Sequence, residues 1–375
     1  MGGLYIHIPF CSQACRYCDF FFTVSLNKMD EYVECLVREL KMLGDFHREN
    51  ILDTVYLGGG TPSLLSGRNL EMIFGAVHAS FTIQKNAEIT MECNPDDLKP
   101  AFFQKLKQFE INRLSIGVQS FHEKDLELLR RSHDDLQAER SVKDAADAGF
   151  SNITIDLIYG IPGQTIQDWE ANLIKAVSLP ITHLSAYHLT FEPGTVFDHW
   201  RKKGRLVPVH EEESIALYRM LRERMAAENF DHYEISNFAL NGKMSRHNLL
   251  YWSGLPYLGA GPSAHSFDGE RRSWNVSSLK GYIERLKKNL QISEQEELSL
   301  HERYHDYLIT SLRTKWGADG QHIKQVFGSG ISSHFNTSAG RFLENGSMWQ
   351  VNGKIAVHPD HWLITDHILR ELFLD

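Results

Sequence analysis

The chain reads as an α/β protein: a partial (βα)6 barrel of parallel strands followed by a small helical, winged-helix-like unit. Three observations predict this. Six short apolar runs alternate with amphipathic stretches, which is the signature of parallel strands joined by crossover helices. Alternate residues within several of those strands are polar, as expected where one strand face lines a lumen. After about Pro193 the alternation stops, and the last eighty or so residues show helical periods and then Val351-Asn352-Gly353-Lys354, in which Asn-Gly between extended segments signals a hairpin.

The strands are expected at about Gly3 to Ile8, Thr54 to Leu57, Glu88 to Met91, Arg113 to Val118, Asn152 to Ile158 and His183 to Leu189. The first helix is expected over Lys28 to Leu43. Beyond the alternation come a helix over Glu211 to Glu228, a strand over Asp231 to Phe238, and Arg246-His247-Asn248-Leu249-Leu250-Tyr251-Trp252 leading into a Gly/Pro-rich stretch that ends at His265. Helices over Glu302 to Leu312, Gln321 to Phe327 and Ser333 to Leu343 precede the hairpin, and a last helix begins near Ile364. The expected division is therefore residues 1–230 for the barrel, 231–298 for a connecting and barrel-completing segment, and 299–375 for the C-terminal unit.

Strand parity locates a site. Glu88, Thr90 and Glu92 share a face, as do Ser115, Gly117 and Gln119, and Thr154 and Asp156. Barrel enzymes place their chemistry at the carboxyl ends of strands, where Glu92, Gln119 and Asp156 fall. A packed barrel interior is branched and apolar, so this polar face points to a lumen filled by ligand. Leu57-Gly58-Gly59-Gly60-Thr61-Pro62 follows the second strand and serves either as a tight turn or as a close approach of backbone to ligand. No Gly-Lys-Ser/Thr follows, which excludes a P-loop.

Cys11, Cys15 and Cys18 follow the first strand. Three thiols at spacings of three and two residues, with no fourth nearby, suit a 4Fe-4S cluster that leaves one iron open. Structural zinc wants four closed ligands, and His7 ahead of Cys11 gives no common zinc spacing. Cys35 and Cys93 stand alone and read as small buried apolar residues. Five thiols with three in one tight motif make no disulfide framework, so the expected setting is reducing and cytoplasmic. The net charge of -9 and the absence of a long basic run argue against nucleic acid as a partner. No apolar run approaches the roughly 20 residues of a membrane span, and neither a signal peptide nor a myristoylation motif opens the chain.

Taken together, the Cys-x3-Cys-x2-Cys loop, Gly-Gly-Gly-Thr-Pro, Glu92-x-Asn94-Pro95, Gly117-Val-Gln-Ser120 and Asp156 resemble the radical S-adenosylmethionine superfamily. Within it they resemble the branch that holds oxygen-independent coproporphyrinogen III oxidase and the HemW-type haem chaperones. The resemblance covers essentially the whole chain. It implies that Cys11, Cys15 and Cys18 hold the cluster and that the amine and carboxylate of S-adenosylmethionine chelate the open iron. It further implies that Tyr5 and Tyr17 lie near cluster and cofactor, that Gly59, Gly60 and Thr61 approach the methionyl amine, and that Glu92, Gln119, Arg131, Asp156 and Thr190 line the remainder. From the sequence alone, Arg131 would read as an exposed helix residue beside Arg130.

Two departures separate the members of the branch. The oxidases carry a further Cys two residues after the last ligand, where this chain has Phe20, and a segment ahead of the loop for which the ten residues before Cys11 leave no room. His247-Asn248-x-x-Tyr251-Trp252 matches the chaperone group. The resemblance thus implies a haem carrier that serves an acceptor haemoprotein, such as a respiratory enzyme, with flavodoxin or ferredoxin as electron donor. The alternative is radical decarboxylation of coproporphyrinogen III. His247 is the expected haem iron ligand, ahead of His265, His188 and the late histidines, and Tyr251 and Trp252 either stack on the porphyrin or cap the barrel.

Overall fold

A computed structural model describes residues 2–46 and 51–374; Met1 and Asp375, the outer limits of the expected first and last units, lie outside the described residues. The barrel half is built from β1 (Gly2–Ile8), α1 (Met29–Phe46), β2 (Ile51–Gly59), α2 (Gly67–Ser80), β3 (Thr82–Cys93), α3 (Pro100–Gln108), β4 (Arg113–Gln119), α4 (Glu123–Leu129) and α5 (Asp135–Asp147). It continues through β5 (Ile153–Tyr159), α6 (Ile166–Ser178), β6 (His183–His188), α7 (Val196–Lys202) and α8 (Glu211–Ala227). Strands β1 to β6 pair in sequence order, all parallel. Helix starts are written locally: Ser66, Asp134 and Thr165 each form a capping box with the third residue of α2, α5 and α6.

The segment expected to complete the barrel lengthens the sheet at both ends. β7 (Asp231–Glu234) and β8 (Asn237–Ala239) form a hairpin, and β8 pairs antiparallel with β6. Asp231 to Phe238 is therefore two strands rather than one. Next come α9 (Arg246–Trp252), β9 (Tyr257–Ala260), β10 (His265–Phe267), β11 (Arg271–Asn275), α10 (Leu279–Lys287) and β12 (Ser293–Glu297). β9 joins β1 in parallel, and β10 to β12 continue outward as an antiparallel ribbon.

The C-terminal unit comprises α11 (Leu300–Leu312), α12 (Gly320–Glu344), the hairpin β13 (Met348–Val351) and β14 (Lys354–Val357), and α13 (Thr365–Leu372). Gly328, at φ 90° and ψ 170°, breaks α12 where the sequence predicts one helix to end. Asn352 at φ 48° and Gly353 at φ 79° form the turn that two-residue hairpins favour. Buried apolar side chains run without interruption from Leu4 and Leu57 in the barrel to Phe335, Trp362 and Leu372 in the C-terminal unit.

The lumen corrects one expectation. Its lower half is closed by side chains, so ligand can fill only the upper part. Arg113, 2% exposed, donates to Thr154 at 2.6 Å and lies 4.0 Å from Glu88, while His183 bonds Tyr233 at 2.8 Å.

Candidate cluster and cofactor site

The cysteine loop is held at both ends. Cys11 N donates to Thr23 O at 3.0 Å and Thr23 N to Pro9 O at 2.7 Å, which closes the loop on itself. Arg16 docks it on the far wall: its Nη1 donates to the carbonyls of Glu127 and Leu128 at the end of α4, and its guanidinium lies 4.9 Å from the Trp200 ring. Free carbonyls at a helix C-terminus attract such a cation. Gln13 adds a bond to Arg130 O, the left-handed residue that terminates α4. Beneath the loop, Tyr17 packs on a satellite apolar cluster of Leu129, Ile158, Ile161, Leu189 and Phe197.

All three loop cysteines line a cavity of about 360 Å³ at the carboxyl ends of the strands. Among the described residues, no group of three His, Cys, Asp or Glu side chains converges as a single metal ion requires. Three thiols on one cavity are the ligand number of a 4Fe-4S cluster with one open iron and one short of a closed zinc site. Burial pushes the Cys18 thiol up to about 12 and raises Cys11 as well, so these two thiols hold their protons and metal must displace them.

The cavity brings together Tyr17, Gly59, Gly60, Thr61, Glu92, Gln119, Arg131, Asp156 and Thr190 with the cysteines. Glu92 accepts from Tyr56 Oη at 2.8 Å and Gly59 N at 3.0 Å, and burial lifts its carboxyl to about 7. Asp156 accepts from Ser115 at 3.3 Å and is also raised, mainly by burial. Gly60 is sterically required: a Cβ there would lie 2.6 Å from Phe10 O. Gln119 ends β4 at φ 67°, and Gly117 leaves room for it, since a Cβ would meet Gln119 Nε2 at 2.9 Å.

Arg131 is not an exposed helix residue. It turns into the cavity, where it donates to Cys15 Sγ at 3.3 Å, Asn94 Oδ1 at 2.7 Å and Gly117 O at 2.9 Å, while its buried Nε has no partner among the described residues. An orphaned guanidinium donor, two carboxylates and three thiols around one cavity form a donor set that fits a cluster with an amino-acid-bearing nucleoside beside it. Sequence reasoning placed Ser115 on the lumen face and Asn94 in a motif without giving either a role, and it missed Tyr56 and Tyr187. Parity on β2 and β6 was the available signal for the two tyrosines.

Two expected site residues are not among those that line the cavity. Tyr5 stands behind the Glu92 partner Tyr56, its ring 6.0 Å from that of Tyr56 and its hydroxyl 3.1 Å from His7 Nδ1. His247 is 1% exposed, with Nδ1 2.7 Å from Thr54 Oγ1 and Nε2 2.8 Å from Tyr251 Oη. With both ring nitrogens engaged, it has no lone pair free for iron where it stands. Tyr251 accordingly caps the lumen, lying edge-on to Tyr257 at 4.5 Å. His188 lines the cavity but is bonded to Ser214 at 2.9 Å.

The Radical SAM superfamily pattern matches residues 5–174. "Heme chaperone HemW" of Bacillus subtilis is 34% identical over 364 residues, spanning 96% of both chains. "Heme chaperone HemW" of Synechocystis is 39% identical over 289 residues, 75% of this chain and 70% of that one. Among solved structures, the Escherichia coli coproporphyrinogen III oxidase HemN superposes with a TM-score of 0.86 over 99% of this chain and 89% of that one, at 22% identity, a likeness of fold. Identity at this level over nearly the full length places the chain in the HemW family of haem chaperones within the Radical SAM superfamily.

Proposed function

We propose that this protein binds haem and delivers it to an acceptor haemoprotein, with a 4Fe-4S cluster and S-adenosylmethionine as its resident cofactors. The observation that carries the reading is the near-full-length identity to HemW proteins in a chain whose cluster loop opens on a donor-lined cavity. When bound, cluster and cofactor supply one-electron reducing chemistry. The chain's own residues would bind and orient. Cys11, Cys15 and Cys18 hold iron; Gly59, Gly60 and Thr61 let backbone approach the methionyl group; Glu92 and Asp156 accept from ammonium and ribose hydroxyls; Arg131 forks onto the carboxylate; Tyr17, Gln119 and Thr190 wall the remainder.

The acceptor we propose is a respiratory haemoprotein, and the electron donor a flavodoxin or ferredoxin. Among the described residues no helix is long and apolar enough to cross a membrane. The test is anaerobic reconstitution followed by haem titration and mixing with a haem-free cytochrome. A saturable Soret shift near one haem per chain and recovery of cytochrome activity are expected. Failure of both, with conversion of coproporphyrinogen III to protoporphyrinogen IX, would make the protein an oxidase instead.

A further inference from the structure

His265 differs from the other histidines near the lumen. It is exposed, it stands on β10, and its imidazole makes no hydrogen bond or ion pair among the described residues; its ring contact there is Trp274, with centroids 6.2 Å apart and planes tilted 32°. His7, His188 and His247 all have bonded rings. Register fixes which way this face looks. Tyr257 pairs with Gly3 on β1, so it shares the face of Tyr5; Phe267 pairs with Tyr257, Trp274 with His265, and Arg272 with Phe267. Tyr257, Phe267, His265 and Trp274 thus form one aromatic surface that continues the lumen wall onto the sheet extension. Its lower edge is covered where Tyr251 meets Tyr257 and where Arg272 pairs with Asp306 of α11. His265 and Trp274 remain accessible above that edge.

An aromatic surface beside an unbonded imidazole offers the chemistry a haem requires, since its macrocycle buries on aromatic side chains and its iron takes a neutral nitrogen donor. We propose that His265, rather than His247, ligates the iron of a haem lying against Tyr257, Phe267 and Trp274 at the open side of the barrel. This assignment rests on the carrier reading above and places haem outside the S-adenosylmethionine cavity. The site is reached without dismantling the Thr54–His247–Tyr251 cluster. Partial burial and the nearby Arg272 both lower the His265 pKa, which keeps the donor lone pair free at neutral pH.

The test titrates haem into the anaerobically reconstituted full chain, in wild type and in the His265→Ala, Trp274→Ala and His247→Ala variants, with iron and sulfide content as the check on folding. In His265→Ala the Soret shift is expected to vanish or to need at least about tenfold more haem, and added imidazole should restore the wild-type line shape. Trp274→Ala should weaken binding while keeping that line shape. Retention of the wild-type titration by His265→Ala, or loss of the shift in His247→Ala alone, would overturn the assignment and leave the carrier reading standing. No saturable binding in the wild type would overturn both.

Discussion

At the scale of single residues, Glu92 carries the clearest pH signature. Its carboxyl, lifted by burial to about 7 from an ordinary value of 4.5, keeps a proton that the unfolded chain releases. Stability from this group is therefore fully present below about pH 4.5 and is lost as pH rises towards 7, by on the order of 3 kcal/mol at most. Thermal melts of the cofactor-free protein at pH 5 and 7.5 should show a larger drop for wild type than for Glu92→Gln; equal drops would place the titration elsewhere. A cofactor ammonium beside Glu92 should lower its pKa, so S-adenosylmethionine binding near pH 7 should release protons, measurable by calorimetry in buffers of different ionisation heat. The acids were legible because strand parity needs only neighbours in sequence. The burial of His247 was not, because Thr54 reaches it from 193 residues away, and nothing local marks an imidazole as already bonded.

At the scale of elements, two glycines show different kinds of requirement. Gly353 in the β13–β14 turn has φ 79° with nothing within 4 Å of the place a Cβ would take, so Gly353→Ala meets backbone strain alone and should cost about 1 kcal/mol in a urea melt. At Gly60 a Cβ would press on Phe10 O at 2.6 Å and Ile8 O at 2.9 Å, the backbone from which the cysteine loop departs. Gly60→Ala should therefore displace that loop and lower iron incorporation on reconstitution, while Gly353→Ala leaves it at the wild-type level; equal iron content in both variants would contradict this. Strand and helix periods made the six β/α units readable, and Gly328 ends a helix where the pattern said one would end. The Asp231 to Phe238 hairpin was hidden because its turn, Ile235-Ser236, contains no Gly, Pro or Asn; it is held instead by distant backbone, Ile235 N to Arg313 O and Ala186 N to Ser236 O.

At the scale of the whole molecule, the C-terminal unit looked separate in sequence because a change of pattern is visible there and a shared core is not. Trp362, 2% exposed, donates to Val357 O and lies 4.2 Å from the His232 ring, which stacks at 4.1 Å on Phe238 of β8. Further contacts run beside it, with Lys315 N bonded to Tyr233 O at 3.1 Å and Arg222 paired to Asp360 at 2.8 Å. The apolar core is continuous across the junction, so the two parts should unfold together. Trp362→Ala removes a large buried side chain at that junction and should cost about 3–5 kcal/mol. In urea, far-ultraviolet dichroism of the whole chain and the cluster absorbance of the barrel should move to lower midpoint in step. A cluster signal that keeps its wild-type midpoint while part of the helical signal is lost early would mean that the barrel stands without the C-terminal unit. The sheet extension bearing His265 should follow the barrel in that event, because it is paired strand to strand with β1 and touches the C-terminal unit through the Arg272–Asp306 contact.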